Sequence, residues 1–246
     1  MNSTIGESVK ETIILIHGGM QGGWCWDRVR PILERENLNV LAPSLSGLGD
    51  KADLHSPTIN LSTHIQDIIN IIDNYLLQNV ILVGHSYGGI VATGVVSQRP
   101  NLIKQLIYLD AVLVEPGQSM ATALDPEIWH FILHNIQIFG DGWQLPAMTT
   151  EAYGFKNEAD QEFVRNRSTP QTLASFAEPL FYDLDLLRKI PVTYIKCRYF
   201  HFLSNMEERA KKMGITYKTI DTGHFPMIES PQSFSTYLLD VIKDNH

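Results

Sequence analysis

A short apolar run that breaks into a glycine-flanked turn and then resumes constrains this chain more than any other stretch. Residues 80–92 read VILVGHSYGGIVA. The first part is rich in β-branched residues, which is typical of a buried strand, and the part after the glycines continues at the spacing of a buried helix. The run therefore predicts a strand that turns directly into a helix.

Ser86 lies at this turn, in the pattern Gly84-x-Ser86-x-Gly88. A turn this sharp brings neighbouring backbone close on both sides, and glycine removes the Cβ atoms that would clash. The Ser86 hydroxyl is then expected above the carboxyl end of the sheet, with the backbone amide of Tyr87 pointing into the same space. The pattern predicts a nucleophile and one oxyanion donor, with an ordinary turn serine as the alternative.

Two residues after other predicted strands complete a constellation around Ser86. Asp110 lies near the end of the strand predicted at residues 105–111, and His224 lies on the loop after the last predicted strand. A serine hydroxyl is a weak nucleophile at neutral pH, so it needs an imidazole to take its proton, and the imidazole needs a carboxylate to fix its tautomer. The sequence predicts Ser86 as nucleophile, Asp110 as acid and His224 as base.

A second glycine-rich loop follows the first predicted strand. Residues 17–23 read HGGMQGG and come directly after an apolar run. A loop at a neighbouring strand end is where the second oxyanion donor is expected, so we predict the amide of Gly19, with Met20 lining the pocket beside it. His17 is interpreted as a brace for this loop, with a role as catalytic base as the alternative.

The alternation of strands and helices lapses after the strand that ends at Asp110. Residues 112–189 are rich in aromatic side chains and lack the strand pattern found on either side. We expect this segment to form a helical cap over the strand ends, with a small core that packs on itself as the alternative. The predicted organisation is a core of residues 1–111 and 190–246 that carries the cap as an insertion.

The predicted pocket wall includes Trp129 and Phe131 from the inserted segment and Phe225 from the loop near the carboxyl end. Aromatic side chains above a nucleophile favour a small apolar or aryl substrate. His130 and His134 could share one helix face, but the sequence offers no evident third ligand for a metal ion. No metal site and no cofactor are therefore predicted.

Composition limits the class of partner. The chain has 246 residues, of which 44% are hydrophobic, and a formal net charge of −8. That size and hydrophobicity suffice for a large core, and the alternation of strand-like and helix-like runs predicts one α/β domain with an insertion. An acidic chain without a basic cluster disfavours nucleic acid as a partner. Residues 1–10 lack the pattern of a secretory signal and no run is long enough to span a bilayer, so we expect a cytoplasmic protein. Cys25 and Cys197 are interpreted as free thiols.

Three motifs together resemble the α/β-hydrolase fold: HGG at residues 17–19, GHSYG at 84–88 and GH at 223–224. The similarity extends over nearly the whole chain. More narrowly, GGWCW at 22–26 and VGHSYGG at 83–89 resemble the plant methylesterase and hydroxynitrile lyase group and its bacterial esterase relatives, among them salicylate and pyrethroid esterases. The resemblance implies a mostly parallel sheet flanked by helices and a small-molecule ester substrate. The net charge and the lack of a long apolar run predict neither a nucleic-acid nor a membrane partner.

The position of the acid departs from the plant group. There the acid follows the strand before the last, which here corresponds to residues 197–205, a segment without Asp or Glu. The bacterial relatives resemble this chain in carrying Asp after the preceding strand. Asp110 is therefore the predicted acid, and Glu207 is the alternative.

The same resemblance bears on the reaction. Hydroxynitrile lyases of that group have threonine where this chain has Gly18 and lysine where it has Phe225. We therefore predict an esterase in which Ser86 forms an acyl-enzyme. A lactonase, a thioesterase or a biosynthetic acyl-transfer or cyclisation enzyme would use the same residues, and a small-ligand receptor with little turnover is the alternative of another class.

Overall fold

Parallel strands form the centre of the molecule. The structure is a computed structural model that describes residues 10–147 and 150–244. The strands in these residues are β1 (Thr12–Ile16), β2 (Asn39–Leu41), β3 (Val80–His85), β4 (Ile103–Leu109), β5 (Gln144–Leu145), β6 (Gln171–Thr172), β7 (Val192–Cys197) and β8 (Thr216–Ile220). β5 and β6 pair with each other, and the rest form one sheet in the order β2-β1-β3-β4-β7-β8.

Every strand pair in the larger sheet is parallel, so all of its strands end at the same edge. β3 lies between β1 and β4, and β4 lies between β3 and β7. The loops that follow β1, β3, β4 and β7 are therefore neighbours. This arrangement explains how residues far apart in the sequence can reach one site.

Helices cover both faces of this sheet. The helices of the described residues are α1 (Arg30–Arg35), α2 (Leu61–Asn74), α3 (Gly88–Gln98), α4 (Met120–Ala123), α5 (Pro126–Phe139), α6 (Glu158–Arg165), α7 (Leu173–Ala177), α8 (Leu184–Leu187), α9 (Met206–Lys212), α10 (Pro226–Glu229) and α11 (Pro231–Lys243). Short 3₁₀ segments connect several of them.

Strand residues alternate between two apolar cores because successive side chains in a strand point to opposite faces. In β1, Ile14 and Ile16 join the core with helices α2 and α3, whereas Ile13 and Leu15 join the core with α1 and α11. All four side chains are fully buried. Burial of each contributes about 1.5 to 3 kcal/mol to the free energy of folding, so the sheet is held firmly from both sides.

The predicted strand, turn and helix at residues 80–92 are confirmed as β3 followed by α3. Residues 112–189 contain helices α4 to α8 and the two short strands, and none of the strands of the larger sheet. We refer to this stretch as the insertion. The division into core and cap domains stays a prediction.

Two predictions concern the chain's surroundings. No helix in the described part of the chain is both long enough and apolar enough to cross a membrane. The prediction about a secretory signal in residues 1–10 lies, apart from Lys10, outside the described residues. Cys25 and Cys197 are buried and free.

Candidate active site

Ser86 lies at the turn between β3 and α3 in a strained backbone conformation. Its φ is +53°, a region that residues with a side chain rarely occupy. A Cβ atom on Gly84 would lie 2.6 Å from the carbonyl oxygen of Gly88, which explains the glycine requirement of the turn. The Ser86 amide donates a hydrogen bond to the Leu109 carbonyl, and the Ser86 carbonyl accepts one from the Val112 amide. The turn is therefore fixed by the end of β4.

His224 and Asp110 meet at the same edge of the sheet. The Nδ1 atom of His224 lies 2.8 Å from Oδ2 of Asp110, and both side chains are almost completely buried. Asp110 has a φ of +42°, and its amide donates a hydrogen bond to the Ile195 carbonyl at 2.7 Å. Because the carboxylate accepts a hydrogen bond from the Nδ1–H group, the neutral imidazole has its lone pair on Nε2, where it can take a proton.

Asp110 has a second charged partner that the sequence analysis did not identify. The ammonium nitrogen of Lys196 lies 2.5 Å from Oδ1 of Asp110, and it also donates to the carbonyl of Phe200 at 2.6 Å. Lys196 belongs to β7, whose other residues are mainly apolar, and it is 9% exposed. A charged residue inside an otherwise apolar strand is the sequence signal that could have identified it.

The imidazole of His224 is packed against aromatic rings. Its centroid lies 3.8 Å from that of Phe200, with 20° between the planes, and Tyr153 stacks on it at 5.8 Å. The His224 amide donates to the Tyr153 carbonyl, and the His224 carbonyl accepts from Nε2 of His85. Burial lowers the pKa of His224, and the hydrogen bond to Asp110 acts in the opposite direction.

The loop after β1 includes an amide, that of Gly19, without a described acceptor. The Gly18 amide donates to Oε1 of Gln21 at 3.2 Å, and the Met20 amide donates to Oε1 of Gln171 at 2.8 Å. The Gly19 amide between them has no hydrogen-bond partner among the described residues. Gly19 and Ser86 border the same cleft.

Tyr87 provides a second amide without a partner in the described part of the chain. A Cβ atom on Gly19 would lie 3.7 Å from the Tyr87 Cβ, so the two loops are in contact. The Tyr87 hydroxyl is 2.8 Å from Nδ1 of His64, whose Nε2 donates to the Ser46 carbonyl. Burial lowers the pKa of His64 to about 4, so the ring is neutral and Nδ1 accepts from Tyr87. This anchor fixes the residue next to Ser86.

His17 braces the glycine loop. Its Nε2 accepts a hydrogen bond from the Leu45 amide at 3.0 Å, and its Nδ1 donates to the Gly18 carbonyl at 2.8 Å. Burial lowers the pKa of His17 to about 4, so the ring is neutral at pH 7. Both ring nitrogens are occupied, which supports the brace interpretation over a role as base.

A cleft of about 690 Å³, part of it open to solvent, lies above these groups. Ser86, His224, Gly19 and Tyr87 border it, together with Met20. Its described lining residues include no carboxylate, ammonium or guanidinium side chain. The insertion contributes mainly apolar side chains, namely Val112, Met120, Leu124, Ile128, Ile132, Leu145 and Phe176.

Three predicted pocket residues do not line this cleft. Phe131 is 49% exposed on the outer side of α5, whereas Ile128 and Ile132, one helical turn apart, face inward. Trp129 is partly buried and packs against the apolar core. Phe225 is fully buried at the start of α10, where its ring contacts aromatic residues behind His224.

The alternative acid, Glu207, lies away from His224 on the exposed side of α9. Its carboxylate is 2.7 Å from the ammonium of Lys211, and that hydrogen bond lowers the pKa of Glu207. Of the two acids considered from the sequence, the structure brings only Asp110 to His224.

Comparison with known proteins gives the family. A model described as the alpha/beta hydrolase family matches residues 13–236. The chain belongs to this family. Among curated proteins, this hydrolase is 36% identical over 180 residues to a carbendazim-hydrolysing esterase of Nocardioides sp. strain SG-4G, which covers 68% of this chain and 72% of that protein.

More distant relatives of this hydrolase cover most of its length. It is 22% identical to putative methylesterase 15, chloroplastic, of Arabidopsis thaliana over 93% of this chain and 56% of that protein. This chain thus spans just over half of that relative. Among solved structures, an extracellular alpha/beta-hydrolase from a Paenibacillus species superposes with a TM-score of 0.81 at 19% identity, covering 94% of this chain and 98% of that chain.

Two residues of this hydrolase's site escaped the sequence analysis for different reasons. Lys196 carried a readable signal, because it is a charge inside a buried strand. Gln171 carried none, since a single glutamine in an irregular segment is usually a solvated surface residue. Within the described residues, no cluster of three His, Cys, Asp or Glu side chains could hold a metal ion.

Proposed function

We propose that this hydrolase cleaves small, neutral carboxylic esters with apolar or aryl groups through an acyl-enzyme on Ser86. The observation that carries the proposal is the buried hydrogen bond of 2.8 Å between Nδ1 of His224 and Oδ2 of Asp110, together with the position of His224 on the same cleft as Ser86. An imidazole held by a carboxylate in this way can accept a hydroxyl proton on its other nitrogen. The chain's relatives include proteins named as esterases.

The reaction follows from the positions of these groups. His224 takes the hydroxyl proton at Nε2 while the Ser86 oxygen attacks the ester carbonyl, and it then delivers that proton to the departing alcohol. Water next gives a proton to the same nitrogen and attacks the acyl-enzyme, which returns the serine hydroxyl and releases a carboxylic acid. Asp110 stabilises the imidazolium that forms twice during this cycle.

The amides of Gly19 and Tyr87 would stabilise the negative oxygen of each tetrahedral intermediate. Both amides lack a partner among the described residues, and each belongs to a loop that is anchored by buried side chains. Fixed donors need no reorganisation when the charge develops, and each one contributes about 3 kcal/mol to lowering the barrier.

The substrate class follows from the cleft and the insertion. We propose that the insertion acts as the cap, because its apolar side chains form most of the wall opposite Ser86. A wall without charged side chains favours a neutral, apolar substrate. It also provides no cation to retain the carboxylate product, which favours product release.

Two positions favour hydrolysis over cyanohydrin cleavage. A Cβ atom on Gly18 would lie 2.9 Å from the Ser86 Cβ, so a threonine there requires a different arrangement of the turn. Phe225 is apolar and buried off the cleft, so it supplies no charge to a leaving group. The chain thus lacks both lyase features and retains the groups required for acyl transfer.

The test is incubation with p-nitrophenyl acetate and p-nitrophenyl butyrate, followed by release of p-nitrophenolate and by intact mass. We expect turnover of both esters and, after rapid acid quenching, a mass increase of one acyl group. The acyl group is expected on the peptide that contains Ser86, and the Ser86→Ala variant is expected to show neither signal.

Absence of turnover together with absence of an adduct would contradict the proposal. Saturable binding of a small apolar ligand in the same preparation would then favour a receptor on a hydrolase scaffold. Turnover of lactones or thioesters in preference to both nitrophenyl esters would keep the acyl-enzyme but reassign the substrate class.

A further inference from the structure

Both carboxylate oxygens of Asp110 accept hydrogen bonds from ionisable side chains. Oδ2 faces Nδ1 of His224 at 2.8 Å, and Oδ1 faces the ammonium of Lys196 at 2.5 Å. The amide of Cys197 also approaches Oδ1 at 3.4 Å. The acid next to the imidazole is therefore part of a buried row of lysine, aspartate and histidine.

Burial of a lysine inside a sheet is costly unless its charge is paired and its donors are used. Lys196 meets that condition through Asp110 and through the carbonyl of Phe200, the residue whose ring stacks on His224. The lysine therefore contacts both the carboxylate and the backbone of the segment that holds the imidazole. An ion pair with only a structural role would not need to contact both this carboxylate and this backbone segment.

We propose that Lys196 is a positioning residue of this hydrolase: it acts on His224 through Asp110, fixing the carboxylate and keeping the imidazole usable as a base in more acidic solution. The inference rests on the proposed ester hydrolysis, in which His224 is the base. Lys196 itself touches neither the Ser86 hydroxyl nor the cleft.

The sign of the effect follows from charge. Burial lowers the pKa of His224, the bond to Asp110 raises it, and the ammonium of Lys196 lowers it. His224 must be neutral to accept the Ser86 proton, so a lower pKa extends activity to lower pH. Removal of the lysine charge therefore raises the pKa of His224 and moves the acidic limb of the rate profile to higher pH.

Other groups near His224 do not explain this effect. His85, at the end of β3, is buried with its pKa well below the usual range, so it is neutral. Tyr153 has its pKa raised to about 12 by burial and is also neutral. Glu229, from α10, approaches the backbone of Gly223 rather than the ring.

The remaining charges on this loop are peripheral. Asp221 pairs at the surface with Arg198 at 3.0 Å. Next to Asp110, the Cys197 thiol and the Tyr194 hydroxyl have pKa values raised by burial, so both are neutral. Among the described groups around the pair of His224 and Asp110, Lys196 is therefore the buried cation that can account for the effect.

The first test measures His224 directly and needs no substrate. The pKa of its imidazole is followed by NMR titration, with the signal assigned by its absence from the His224→Gln variant. We expect Lys196→Gln, which removes the charge but keeps a donor, to raise this pKa by about one unit. Lys196→Arg, which keeps the charge, is expected to restore it. Lys218→Gln, on the neighbouring strand, removes a surface charge that pairs with Asp244 and is expected to leave the value unchanged.

The second test is the pH dependence of kcat/KM on p-nitrophenyl acetate. We expect the acidic limb of Lys196→Gln to move up by about one pH unit, in agreement with the titration, and its plateau to fall about tenfold. In an Asp110→Asn background, the same lysine substitution is expected to cause no further fall of the plateau, because the carboxylate through which the lysine positions the imidazole is already lost.

An unchanged titration of His224 in both Lys196→Gln and Lys196→Met would overturn the inference, and so would an equal shift in Lys218→Gln. If Lys196→Gln fails to fold, a shift of the limb in Lys196→Arg would also count against it, since that variant keeps the charge. Failure of the wild-type chain to cleave esters would instead contradict the proposed function, and the titration would still decide the role of the lysine.

Discussion

The two sides of the cleft are built differently. On the core side, Ser86, Asp110 and His224 each lie just after a strand of the parallel sheet, and two of them have a positive φ. On the insertion side, the wall comes from short helices and irregular segments. The core side thus carries the proposed reactive groups on a rigid edge, whereas the insertion side provides apolar surface.

This difference indicates that the reaction and the choice of substrate depend on opposite sides of the cleft in this hydrolase. Reactive groups must keep their geometry to within a fraction of an ångström, which packed strands on both sides of β3 provide. Substrate fit tolerates exchange of one apolar side chain for another. Substitutions on the core side are therefore expected to change the rate, and those on the insertion side to change the preference among substrates.

The largest expected effect is that of Ser86→Ala. Loss of the hydroxyl removes the acyl-enzyme, so kcat is expected to fall by at least about 10⁴-fold, measured with p-nitrophenyl butyrate. The thermal melt is expected to stay within about 3 °C of wild type, because the substitution removes one oxygen atom without a described bond. Retained activity would exclude Ser86 as the nucleophile and remove the basis of the comparison.

Asp110→Asn is the next most severe change on the core side. The amide no longer fixes the tautomer of His224 or stabilises the imidazolium, so kcat is expected to fall by up to about 10⁴-fold. Glu207→Gln is the matched control, since it removes a carboxylate that pairs with Lys211 at the surface. A large loss in that control with a normal rate in Asp110→Asn would exchange the two roles.

The core side of the cleft is more predictable from the sequence than the insertion side. Ser86, Asp110 and His224 are predictable because strand ends are local features and parallel strands all finish at one edge. Lys196 is harder, because its contact with Asp110 depends on the register that places Ile195 opposite Leu109. That register is a property of the whole sheet.

The insertion side is less predictable because hydrophobicity does not say which way a side chain faces. Phe131 and Ile132 are adjacent in α5, yet Phe131 is exposed and Ile132 lines the cleft. The same limit applies to Phe225, for which the sequence predicts a place in the pocket wall and which lies in the apolar core next to His224. Helix orientation, which depends on tertiary packing, decides these cases.

Gln171→Leu tests a contact that joins the two sides. Gln171 lies in the insertion, and its Oε1 accepts from the Met20 amide, next to Gly19. Loss of the acceptor leaves a buried amide unpaired at a cost of about 1 to 3 kcal/mol and loosens the loop, so kcat is expected to fall about 10- to 100-fold with little change in KM. Steady-state kinetics with one ester measure both constants.

Two controls separate this effect from a general loosening of the insertion. Gln171→Glu keeps an oxygen acceptor and is expected to recover most of the rate. Glu178→Gln weakens another contact between insertion and core, the bonds from Ser62 to the Glu178 carboxylate at the surface. Its kcat is expected to remain within about twofold of wild type. An equal loss in that variant would show that the loop after β1 does not depend specifically on Gln171.

The smallest expected effect is a change of preference without a change of chemistry. Ile132→Ala enlarges the cleft, so the ratio of kcat/KM for p-nitrophenyl hexanoate to that for the acetate is expected to rise about three- to tenfold. The ratio does not depend on the fraction of folded enzyme, which matters because the substitution also destabilises a buried position.

Ile138→Ala makes the same chemical change at a site in α5 that is 59% exposed, and Phe131→Ala removes the exposed ring next to Ile132. Both are expected to leave the ratio unchanged, and a shift in either one equal to that of Ile132→Ala would mean that the inward face of α5 does not control substrate fit.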